Sequence, residues 1–110
     1  MEKHRNYTSV EIEEIKFVEE QYKYRIILIN EFLNICHLTI EDLCIHLGIN
    51  EATFYRYKNR KSHISLSNYI CACNFFRLHM EEHKIPYTEK LIDMIRRTDI
   101  FSHQQNSDKV

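Results

Sequence analysis

Apolar residues along this chain recur three and four positions apart, the spacing that lines one face of an α-helix. Ile15, Val18, Tyr22, Ile26, Ile29 and Leu33 form the first such stripe, with Glu13, Glu14, Glu19, Glu20 and Lys23 largely off it. Thr8-Ser-Val-Glu11 precedes it as a capping box, in which Thr8 and Glu11 satisfy each other's orphan backbone donors. From Ile26 to Ile29 the apolar residues run all the way round. The segment 24–36 is therefore expected inside the domain, and 9–23 is expected to pack by one face only. One long helix and two shorter ones both fit this pattern.

Thr39-Ile-Glu-Asp42 is a second capping box, and Asn50 marks another helix start just after Gly48. Two short helices joined at Gly48 follow. Beyond the polar, basic stretch 59–63, Leu66, Tyr69, Ile70, Cys73 and Phe76 predict a core helix. Lys84-Ile85-Pro86 ends it, and Thr88 can cap a last helix with Leu91, Ile92 and Ile95 inward. The polar end 102–110 and the first residues, 1–7, are expected to be loose, leaving one domain over 8–101.

Composition narrows the class. One Gly and one Pro in 110 residues are too few for the tight turns of a β-sandwich or barrel. The expected fold is all-α, a compact domain of five to six helices with an extra N-terminal helix. A single glycine also excludes Gly-rich phosphate loops and nucleotide-binding fingerprints, so no cofactor is expected. No apolar run reaches the roughly 18 residues of a membrane span, and no signal segment opens the chain. Four cysteines then fit reduced thiols in a cytoplasmic protein.

Residues 40–59 carry the parts of a helix-turn-helix. Leu43, Leu47, Ile49, Phe54 and Tyr57 take the inward offsets, Cys44 is the small residue at the crossing, and Gly48 sits where the turn needs a positive φ. The second helix then turns Asn50, Glu51, Ala52, Tyr55, Arg56 and Asn59 to solvent.

The run Leu-Thr-Ile-Glu-Asp-Leu-Cys-Ile-His-Leu-Gly-Ile-Asn at 38–50 resembles the helix-turn-helix of phage Cro and lambda-repressor-type regulators, over roughly residues 24–78. That resemblance implies a five-helix domain that binds operator DNA as a dimer, with the helix 50–58 in the major groove. The chain departs from the family pattern at Ile40, where Gln is common, and at Lys58, where Glu is frequent. Ala-Thr-Phe-Tyr-Arg-Tyr at 52–57 is similar to the recognition helix of tetracycline-repressor-type regulators. Too little chain follows Lys58 for the ligand-binding domain of that second family.

Charge gives local support. Fifteen basic residues stand against sixteen acidic ones, a formal net charge of -1, so no global excess announces nucleic acid. Yet Arg56, Lys58, Arg60 and Lys61 fall within six residues that contain no acid. These cations are expected at phosphates. Arg56 matches guanine O6 and N7, Asn50 can pair adenine, Glu51 can accept from cytosine, and Ala52 can touch a thymine methyl. Tyr55 either donates to phosphate or packs against the preceding helix. Because one recognition helix reads only a few base pairs, a homodimer on palindromic double-stranded DNA is expected, with the N-terminal and last helices as candidate interfaces.

Other motifs lead elsewhere. His79-Met-Glu-Glu-His83 matches an inverted zinc-protease pattern, but five residues without a third ligand or a cleft do not make an enzyme. Cys71 and Cys73, two apart on a helix, point about 200° apart and cannot share one metal ion. The competing reading is a helix-turn-helix scaffold that binds a protein, as an inhibitor or adaptor of phage or plasmid origin.

Overall fold

The computed structural model describes residues 7–98, which form five α-helices and no strand. The expected loose ends, Tyr7 apart, and the last expected domain residues, 99–101, lie outside the described residues. The helices are α1 (Ser9–Cys36), α2 (Ile40–Leu47), α3 (Glu51–Lys58), α4 (Leu66–His83) and α5 (Glu89–Thr98).

The first pattern resolves into one helix. Thr8 Oγ1 accepts from the Glu11 N–H at 3.1 Å, and Glu11 Oε1 accepts from the Thr8 N–H at 2.9 Å. From there α1 runs unbroken for 28 residues, about 42 Å at 1.5 Å per residue. The extra N-terminal helix is thus an extension of the first core helix. His37, left-handed at φ 56°, closes α1. Thr39 opens α2 two residues later, exchanging 2.9 and 3.1 Å bonds with Asp42. Those bonds hold the Asp42 carboxyl below its usual range.

The core lies against the C-terminal half of α1. Ile29, Leu43, Phe54, Ile64, Ala72, Phe76, Met80 and Leu91 are fully buried, and Phe32 stacks on Phe76 with ring centroids 4.9 Å apart. Helix α5 packs on α1, tied by a 3.4 Å ion pair from Lys90 to Glu31.

Two expected faces are rotated. On α4 the buried row is Ala72, Phe76 and Met80, whereas Leu66 and Ile70 are exposed. The small Ala72 weighs little in a reading of bulky residues, yet it lies one helical turn from Phe76 and sets the true face. On α5, Leu91 is buried and Met94 joins Ile95 against the core, while Ile92 is exposed.

Candidate nucleic-acid interface

Helix α3 is fixed from behind and open in front. Gly48 takes φ 71° after α2, with its N–H and that of Ile49 returning to carbonyls of the last turn of α2. This left-handed closure suits glycine and turns the chain sharply into α3. No atom lies within 4 Å of where a Cβ would stand on Gly48, so only the backbone angle resists a side chain there. Phe54 is wholly buried and meets Tyr57 edge-on.

The opposite side of α3 presents Ala52, Tyr55, Arg56 and Asn59, which are all exposed. Their spacing of three, one and three makes a single helical stripe. Tyr55 belongs to it, with 44% of its surface exposed and the Lys58 ammonium 5.6 Å from its ring centroid. Glu51 is exposed at the N-terminal end of the stripe. Asn50 has another job. Its Oδ1 accepts from the Thr53 N–H at 2.9 Å and the Thr53 hydroxyl at 3.0 Å, capping α3. With both lone pairs engaged in the cap, Asn50 would give up a bond to Thr53 in making the two-bond pairing with adenine expected from sequence.

The basic run after α3 is folded back on itself. Arg60 adopts φ 61°, a left-handed conformation that disfavours a side chain. The Lys61 N–H then returns to the Arg56 carbonyl at 2.8 Å. Through this closure the four cations separate. Arg56 stays within the stripe, Lys58 is exposed beside it, and Lys61 is exposed beyond it. Arg60 instead lines a half-open groove of about 380 Å³ between α1 and the α3–α4 loop. Tyr57, on the far side of α3 from Tyr55, faces the same groove, with Lys16, Glu19, Glu20, Lys23 and His63 around it and Ile26 and Ile64 at its base.

Beside the groove, Tyr22 stacks on His63 at 4.3 Å, and the Arg25 guanidinium lies 5.1 Å from the ring centroids of both Tyr22 and Tyr69. Sequence reading missed this cluster because its members are some forty residues apart. The local signs were Tyr22 and Tyr69, each on an apolar stripe of its own helix.

No family model, curated protein or solved structure matches this chain.

Elsewhere the candidate metal ligands take structural roles. The His79 and His83 rings meet across one turn at 4.2 Å, tilted by 43°, and His46 stacks on Phe75 at 4.3 Å. Among the described residues no group of three His, Cys, Asp or Glu is placed to hold a metal ion. All four cysteines are free. Burial pushes the Cys73 thiol up to about 11, against smaller opposing effects of Tyr69 and Arg25. No helix among the described residues is long and apolar enough to cross a membrane.

Proposed function

We propose that this chain is a sequence-specific DNA-binding regulator of phage-repressor type, acting by occupying a site and not by catalysis. The observation that carries this reading is the open stripe Ala52, Tyr55, Arg56 and Asn59 on a helix locked from behind by Phe54. A short helix carried on a tight turn, with a small residue first and an arginine in its second turn, has the form that enters a major groove. The resemblance of 38–50 to Cro-type regulators supports the same reading. Arg56 reads a guanine, Lys58 and Lys61 neutralise phosphates, and two copies read a palindrome. The four free thiols fit a reducing, cytoplasmic setting.

The test is selection of bound sequences from a random double-stranded pool, followed by two variants. Arg56→Ala should cost about 1–3 kcal/mol and relax preference at one base position, while Lys61→Ala should weaken all sequences alike. Equal, sequence-blind losses would reject readout by Arg56. A pool that enriches nothing would favour the second reading, a protein-binding scaffold, for which the exposed apolar residues Val10, Ile12, Phe17 and Val18 of α1 argue.

A further inference from the structure

We infer that the N-terminal half of α1 docks antiparallel against the same segment of a second copy of this chain, its acidic tip seated in the groove between α1 and the α3–α4 loop. This inference rests on the two-copy part of the proposed function and not on its DNA part. Molecular mass and DNA selection therefore fail separately.

The first observation is exposure. Every residue from Ser9 to Glu20 is exposed except the capping Glu11, and these include Val10 at 68%, Ile12 at 41%, Phe17 at 51% and Val18 at 47% exposed. A helix extended by three turns of unburied apolar surface gains nothing from its own core. Such a surface is a place where another chain sits.

The second observation names the occupant. Glu13, Lys16, Glu20 and Lys23 are spaced three, four and three apart, so they share one face of α1. All four are exposed, and none makes an ion pair with another described residue. The signs run minus, plus, minus, plus. Read in the opposite direction they run plus, minus, plus, minus, so two copies laid antiparallel oppose unlike charges at all four places. Glu13 meets Lys23 of the second copy and Lys16 meets its Glu20, about a two-fold axis near residue 18. Parallel pairing would oppose like charges throughout. Ile12 and Phe17 border this face and Ile27 continues it, all exposed.

The groove lies where this alignment delivers the tip. Position 23 of one copy faces position 13 of the other, so Glu13 and Glu14 of the second copy arrive beside Lys23, Arg60 and His63. These side chains share the groove wall, above the apolar Ile26 and Ile64. Glu19 and Glu20 also line the groove, but this alignment sets them opposite Phe17 and Lys16 of the second copy, so its acidic helix end meets the basic end of the wall at Lys23 and Arg60. The same contact forms twice, once for each copy.

The test uses the full chain and two charge reversals, with thermal melts to show that each variant folds. Light scattering on the wild type should report twice the 13.5 kDa chain mass at about 100 µM. Glu13→Lys with Glu14→Lys makes the tip basic, and Lys23→Glu makes the facing end of the groove side acidic while leaving the Lys16–Glu20 contacts intact. Each folded variant should weaken self-association by about tenfold or more. Mixed one to one, they should restore the dimer, because each copy then meets its complement at both contacts. A wild type that stays monomeric, reversals that leave the dimer intact, or a mixture that fails to recover it would each overturn the inference.

Discussion

Arg60, like His37 and Lys84, holds a left-handed angle without being glycine, and of the three it alone lines the groove. Glycine would hold the φ 61° of Arg60 with less strain, because a Cβ there costs about 1 kcal/mol or more. Arginine instead puts a guanidinium on the groove rim beside Lys16 and Lys23. Arg60→Gly is therefore expected to raise folding stability by about 1 kcal/mol. The same change should weaken self-association, since it removes a cation from the rim. Urea melts at about 1 µM, where association adds little to the apparent stability, isolate the first effect. Sedimentation at high concentration reads the second. Equal and opposite movement in both is the signature of a strained residue kept for its contact. A destabilised Arg60→Gly protein would show instead that the arginine side chain holds the fold.

Helix α1 is one element with two environments, and the change falls near Tyr22. Ile29 is fully buried while Val18, eleven residues earlier on the same apolar stripe, is 47% exposed. Ile29→Glu should accordingly cost more than about 3 kcal/mol, as an unpaired charge in the core. Val18→Glu should stay within about 0.5 kcal/mol in the monomer, and thermal melts of both variants check this contrast. A large loss from Val18→Glu would mean that the extension packs on its own domain. The stripe from Ile15 to Leu33 made the helix legible, and the capping pairs Thr8–Glu11 and Thr39–Asp42 marked the starts of α1 and α2 in the sequence. Where the domain ends along α1 was not legible, because periodicity tells which face is apolar and not what covers it. The same gap rotated α4 about Ala72. In the candidate site, the open stripe of α3 followed from helical spacing alone. The groove did not, since its walls come from α1 and from the loop beyond α3.

At the scale of the whole molecule, a net charge of -1 hides a separation of charge. Residues 9–20 hold five glutamates and one lysine, and residues 56–61 hold four cations and no acid. A uniformly neutral surface would neither attract a polyanion nor pair with itself, whereas this distribution supports both contacts at different places. It also makes them depend on salt in linked ways. Neutralising about three phosphates per copy gives a slope of log affinity against log salt on the order of -3 for a single half-site. A palindromic site bound by two copies should show about twice that slope, on the order of -6. The Glu13→Lys, Glu14→Lys protein keeps α3 unchanged but loses its partner. Filter binding on the palindromic site over a salt series should then give a slope that falls back toward the single-copy value, with the preferred base sequence within each half-site unchanged. If the reversed protein kept the full slope and affinity, pairing through α1 would have no part in operator binding. If it lost half-site sequence preference as well, the extension would be supporting α3 directly, and the two ends of the molecule would not act independently.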